Sequence, residues 1–297
     1  MLDFNVAELS TESMRNTMTL VRFSAHEWGN QKHSLEATRA AKLATKAVGD
    51  VGAFRKKLLA SHDMELRAVR KVLRAARESH YSLTRPYANG VATIANVHMM
   101  DYLKLMAEHK KVLGVAKAEL VAHLPSRIAA AMSQLGDMAN ASDYPDPKSI
   151  ADKFSMEFEF TPLPSTDVAG AGTLPPGFAD KMQQALELRI KSQMKAGFES
   201  GWKDVSEAVE HLVTTISNPE TVRFRGSLIG NVASAVKLTA AWNLTANPQY
   251  DQLIGFIEKV ILVHSAKDLR EDPDKREAVI SNGTKVYRLI NKQLNVK

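Results

Sequence analysis

One stretch narrows the available folds more than any other. From Val51 to Pro86, apolar residues recur at Val51, Phe54, Leu58, Leu66, Val69, Leu73 and Ala76, close to a helical period. On the far side Arg67, Arg70, Arg74 and Arg77 are spaced three, four and three apart, which puts four guanidinium groups in one row. The pattern predicts an amphipathic helix over about Val51 to Ser79, with one face to bury and another to meet negative charge. It stops before Pro86, because a proline pushes the preceding residue, Arg85, out of the helical region. The stretch holds nine Lys/Arg against three acids (Asp63, Glu65, Glu78). That balance of +6 equals the formal net charge of the 297-residue chain, so the remaining bases and acids cancel.

Composition sets the outer bounds. An apolar fraction of 44% is enough for a real core and excludes global disorder. The absence of cysteine removes disulfides, thiolate catalysis and Cys-containing zinc sites together. No run approaches the ~18 apolar residues that a membrane-spanning helix needs. The greasiest segment, Ile254 to Val263, is interrupted by Glu258 and Lys259. The opening Met1-Leu2-Asp3-Phe4-Asn5 lacks a basic leader followed by an apolar run, so no secretory signal is readable and a soluble cytoplasmic chain is expected.

Along the chain, Met18 to Ser24 reads as a short strand, and Ser34 to Val48 as an Ala- and Lys-rich helix ending at Gly49. Asn89-Gly90 is a turn dipeptide. Val91 to Val97 fits either a short strand or the lead-in to a helix. His98 to Leu124 is helical in spacing, with a break or kink at Pro125 and a short Ala-rich helix over Ser126 to Met138. Asp143-Tyr144-Pro145-Asp146-Pro147 reads as a rigid loop. Phe154, Met156, Phe158 and Phe160 then alternate with Ser155, Glu157, Glu159 and Thr161, the period-two mark of a half-buried antiparallel strand. Pro162 to Gly177 collects four prolines and three glycines and reads as a linker. Beyond it, helices are expected over Phe178 to about Phe198 and Trp202 to Ile216. Asn218-Pro219, Asn247-Pro248 and Asp272-Pro273 each set a helix start: the Asx side chain accepts first-turn N–H groups and proline at N1 loses no hydrogen bond. The expectation is a mostly helical α+β fold with long helices over a small antiparallel sheet, followed by an all-helical C-terminal region. Its expected division is 1–165, a Pro/Gly linker at 166–177, and 178–297.

Catalytic signatures are missing. No phosphate-loop or dinucleotide fingerprint is present, and Gly170-Ala171-Gly172 falls in the linker with no helix opening behind it. Gly226-Ser227-Leu228-Ile229-Gly230 has its serine in the wrong place for a nucleophile elbow, and reads instead as small residues that let helices pack closely. His26-Glu27, His98 with Asp101, and His109 with Glu108 lack metal-binding spacing. No catalytic residue, metal or cofactor is therefore assigned. The aromatic stripe at 154–160 reads as core facing rather than as a base-stacking platform, since the opposite face is acidic.

The arginine row keeps two readings. As a solvated face, it would pair internally, Asp63 with Arg67 and Glu78 with Arg74. As a functional face, Arg67, Arg70, Lys71, Arg74 and Arg77 would track an acidic partner or a phosphate backbone, with His80, Tyr81 and Arg85 adding stacking and hydrogen bonds.

Several segments together resemble a phage, prophage and proteobacterial family of unknown function. They are the early strand with Trp28, Phe54-Arg55-Lys56, His80-Tyr81, and Thr84-Arg85-Pro86-Tyr87. Asp143-Tyr144-Pro145, Phe154 to Pro164, Arg223-Phe224-Arg225-Gly226-Ser227-Leu228 and Leu269-Arg270-Glu271-Asp272-Pro273 continue the resemblance over nearly the whole chain. The family pattern often has Trp-Asp after the proline; here Tyr87-Ala88 stand there, so no role of that acid carries over. Genes of this family often neighbour those of MoxR-type or cobaltochelatase-like AAA+ ATPases and von Willebrand factor A proteins. The resemblance thus implies a non-catalytic accessory protein of such an ATPase, in the cytoplasm of a bacterial host. The alternative is a single-stranded DNA binding protein of phage replication or recombination. No membrane partner is expected, and a homo-oligomer is compatible with either reading.

Overall fold

The computed structural model describes residues 10–49, 52–165, 175, 177–218, 226–244 and 247–294. Helix α1 (Thr11–Thr17) leads into strand β1 (Met18–His26), followed by β2 (Gln31–His33), α2 (Leu35–Thr45) and β3 (Arg55–Lys57). Next come α3 (Met64–Leu83), β4 (Arg85–Ala88), β5 (Val91–Ala95), α4 (Met99–Leu135), α5 (Pro147–Asp152) and β6 (Ser155–Pro162). The regular elements described in the C-terminal region are all helices: α6 (Phe178–Ser217), α7 (Ser227–Ala240), α8 (Pro248–Ile257), α9 (Ala266–Glu271) and α10 (Pro273–Gln293). The result is a mostly helical α+β fold. Among the described residues no helix is long and apolar enough to cross a membrane.

Four strands form one sheet in the order β4-β5-β1-β6, and β2 pairs with β3 in a second. Strand β1 runs antiparallel to β5, with Met18 opposite Ala95 and Arg22 opposite Val91. The hairpin joining β4 and β5 turns on Asn89 (φ 51°) and Gly90 (φ 74°). Two successive residues at positive φ match the twist of the strands they connect, which is why Asn-Gly suits this turn. Pro86 sits in β4, the edge strand, where its missing N–H costs no ladder bond. Just before and within β6, Phe154 and Met156 are buried and Phe158 and Phe160 half-buried, while Glu157, Glu159 and Thr161 are exposed, so the period-two reading holds.

The chain divides into two compact units that interleave along the sequence. One comprises residues 1–22, 81–101 and 159–297; the other comprises 23–80 and 102–158. In the first, α6 lies at the centre of a core that includes Trp202, Val209, Trp242, Tyr250 and Val286. Phe198, Trp202 and Tyr250 pack ring against ring, with centroids 5.0 to 6.4 Å apart. In the second, α3 buries Leu66, Val69, Leu73, Ala76 and His80, while α4 buries Leu113, Ala116, Leu120 and Leu124 among others. The linker expected at 166–177 lies mostly outside the described residues, as does the helix start expected at Asn218-Pro219.

Four local expectations are corrected. The basic helix begins at Met64, well after Val51. Residues 55–57 instead pair with 31–33 as strands, and the Asn30 side chain brackets Leu59, its Oδ1 accepting the Leu59 N–H at 2.8 Å and its Nδ2 donating to the Leu59 carbonyl at 3.0 Å. The helix then starts where Asp63 Oδ1 accepts the Leu66 N–H at 2.9 Å. Second, the break at Pro125 is absent, since the proline lies inside one continuous 37-residue helix. An interior proline costs about 3 kcal/mol, and burial of Leu120, Leu124 and Ala131 on either side of it offsets that cost.

Third, 178–217 is a single 40-residue helix with no break near Gly201. Its glycines are close-approach points. A Cβ at Gly197 would lie 2.6 Å from the Trp242 ring, and one at Gly201 would lie 3.1 Å from Thr239 Oγ1. Around Gly226 and Gly230, expected to serve close packing, no atom of the described residues lies within 4 Å of a would-be Cβ. Fourth, the loop expected around Asp146-Pro147 contains a helix start, with Asp146 Oδ2 accepting the Lys148 N–H at 3.0 Å. It is the same Asx-Pro device that opens α8 at Asn247 and α10 at Asp272.

Candidate binding site on a basic helix

Helix α3 turns its apolar stripe inward and leaves Arg67, Lys71 and Arg74 exposed on the opposite side. The internal ion pairs that would have neutralised this row do not form. Asp63 and Glu65 are drawn to Arg127 of α4 instead. Arg127 Nη2 donates to both Glu65 carboxylate oxygens at 2.9 and 3.0 Å, and its Nε lies 3.6 Å from Asp63. Arg127 holds the Glu65 carboxyl below its usual range. Glu78 makes no ion pair with Arg74. Among the described residues no carboxylate comes within 4.0 Å of Arg67, Lys71, Arg74 or Arg77.

Arg70 is a different case. Its Nε donates to Glu27 at 2.9 Å and its Nη2 to the Trp28 carbonyl at 3.2 Å, which ties it to the β1–β2 connection. Half-exposed and already paired, it frames the site more than it offers charge. Arg77 is half-buried.

Two of the three further residues proposed for the same face have other surroundings. His80 is buried at 4% exposure, with Nδ1 3.1 Å from Tyr102 Oη and its ring stacked 5.1 Å from Phe23. Burial pulls its pKa down to about 4, so the imidazole is neutral at physiological pH and has no surface to offer a partner. Arg85 is 5% exposed in β4 and pairs with Asp204 of α6 at 2.9 Å. Its side chain packs against Gly201, and burial lowers its pKa against the opposing pull of Asp204. Neither belongs to a contact surface. Tyr81 is exposed in the last turn of α3.

Around the free cations the surface is concave. Arg67, Arg70, Lys71 and Arg74, with Ser61, Met64 and Ala68, line a pocket of ≈ 610 Å³. A second pocket of ≈ 410 Å³ shares Ala68 and Lys71 with it and lies between α3 and α4. The two helices run antiparallel here. Glu65, early in α3, meets Arg127, late in α4, while Ser79, late in α3, meets His109, early in α4, at 2.8 Å. Sequence reasoning missed this second pocket. Its signal was the repeat of Val112, Val115 and Ala116 on α4, which continues the small apolar run of Ala68, Val72 and Ala75 on α3.

The arrangement can bind anions and apolar surface side by side. Among the described residues no group of three His, Asp or Glu stands close enough to hold a metal ion. No protein-family model, no curated protein and no solved structure matches the chain.

Proposed function

We propose that the chain is a non-catalytic binding protein that docks an acidic protein partner on α3, inside the bacterial cell. The observation that carries this reading is the trio Arg67, Lys71 and Arg74. They are exposed, without a carboxylate partner among the described residues, and set in a concave surface with apolar walls. The partner that the family resemblance suggests is a MoxR-type AAA+ ATPase acting with a von Willebrand factor A protein. Co-expression and pull-down tests it. The ATPase should co-purify with the wild-type chain and change its turnover on adding it. A double reversal, Arg67→Glu with Arg74→Glu, should abolish both effects; an unchanged complex would remove the basic helix from the interface.

Single-stranded nucleic acid is the second reading, supported by the same cations. Three phosphate contacts would give log K against log salt a slope of about −2. A salt titration with a labelled oligonucleotide decides it, and absence of binding at low salt ends it. The composition of the two pockets favours protein: none of their lining residues is Phe, Tyr or Trp, the rings on which single-stranded bases stack.

A further inference from the structure

We infer that the α3–α4 groove receives an amphipathic acidic helix from the partner, with its apolar side chains down and its carboxylates toward Arg67, Lys71 and Arg74. The inference rests on α3 being the docking helix and adds the chemistry of what docks there.

Three features of the groove select a helix. Its floor is built from Ala68, Val72 and Ala75 of α3 facing Val112, Val115 and Ala116 of α4. On α3 these positions fall four and three apart, and on α4 Val115 and Ala116 lie three and four residues after Val112, so the floor is a stripe along the helix axes, the shape that accepts an apolar helical face. The side chains are small, which permits close approach of another helix, and Val112 and Val115 stand 42% and 56% exposed. Beside the floor the three cations rise along α3 by about 6 Å and then about 4.5 Å, at ~1.5 Å per residue. Carboxylates spaced four and three apart on a neighbouring helix fall at the same heights. Alternate side chains of an extended strand come every ~6.6 Å and lose register.

Charge also fixes which way the guest faces. Lys71 borders both pockets, so the cationic wall adjoins the apolar floor directly. The α4 wall carries Glu119, which repels an acidic flank on that side. An incoming helix is therefore oriented with its acids over α3 and its apolar stripe between the two host helices.

Fluorescence anisotropy with the full-length protein tests this at low salt. The probe is a labelled peptide of about 18 residues, with leucines at helical spacing and glutamates along one flank. It should bind and gain helicity by circular dichroism, while a scrambled peptide of equal composition and a proline-interrupted one should bind at least about tenfold more weakly. Val115→Asp, at an exposed position that leaves the core intact, should weaken the peptide about tenfold. Arg67→Glu with Arg74→Glu should do the same. Equal binding of the scrambled peptide would overturn the inference, because charge alone would then suffice. So would tighter binding of a labelled oligothymidine, or self-association that the same substitutions abolish. The ATPase pull-down separates the two levels. If Arg67→Glu with Arg74→Glu releases the ATPase while Val115→Asp leaves it bound, docking on α3 stands and the helix-in-groove inference falls. If neither substitution releases it, docking on α3 falls too.

Discussion

Helices α3 and α6 are both long, both amphipathic in part and both rich in charge, yet they meet opposite fates. Helix α6 is the centre of its unit: from Ile190 to Ile216 it buries residues around much of its circumference and brings glycines against Trp242 and Thr239. Helix α3 buries a single stripe and presents cations elsewhere. The difference lies in what stands opposite the apolar stripe. Glycine and small polar residues let neighbours close over α6, whereas a row of arginines and lysine cannot be covered without carboxylates to meet it. Arg85 shows the exception that proves the rule's physics, since its burial comes with Asp204. A helix that its own fold leaves open on a charged side is the place to look for a partner.

Four experiments can break or sharpen that contrast. The largest effect should come from Trp202→Ala on α6, a fully buried ring at 1% exposure. Chemical denaturation should show a loss of about 3–5 kcal/mol; a loss below ~1 kcal/mol would mean that α6 is not the centre of its core.

Second is a pH effect in the other unit. His80 has a folded pKa of about 4, against ~6.5 in an unfolded chain. The unfolded chain binds a proton that the fold refuses, so stability is full above pH 6.5 and falls as the pH drops toward 4, by at most about 3 kcal/mol. Burial shifts His98 the same way, so the assignment needs His80→Gln. That variant should be flatter than the wild type between pH 6.5 and 4, and equal slopes would place the effect elsewhere. The loss of the Glu65–Arg127 pair falls lower, as Glu65 is protonated below its ordinary range.

Third, Gly197→Ala should cost about 1–3 kcal/mol despite alanine's better helix propensity, because the new Cβ meets a buried tryptophan ring at 2.6 Å. Unchanged stability would show that Trp242 can move. The smallest stability effect should come from Arg67→Ala with Arg74→Ala, within ~0.5 kcal/mol of wild type, while partner binding is lost. A large destabilisation would reassign these residues from docking to folding.

What local pattern can encode was legible. The alternation at 154–161, the Asn-Gly hairpin and the Asx-Pro caps at 247 and 272 each depend on residues within a few positions of one another. The cap at Asp146 carried the same signal and went unread beside Pro145. Helix ends were less legible. Residues 51–58 match a helical period by composition, but pairing with a segment some two dozen residues earlier makes 55–57 a strand. Pro125 and Gly201 look like stops until the packing that spans them is seen.

The candidate site divides in the same way. Periodicity alone determined that α3 would have an apolar side and a cationic side, because side-chain direction on a helix follows from spacing. Which cations remain available was decided by tertiary structure. Glu27 takes Arg70, Arg127 takes Asp63, the acid that would have met Arg67, and the half-exposed Asp204 pairs with the buried Arg85. The groove beside the row exists because α4 packs alongside α3. Charge pairing acts through space over a few ångströms, and the residues that meet there are 43 to 119 positions apart in the chain.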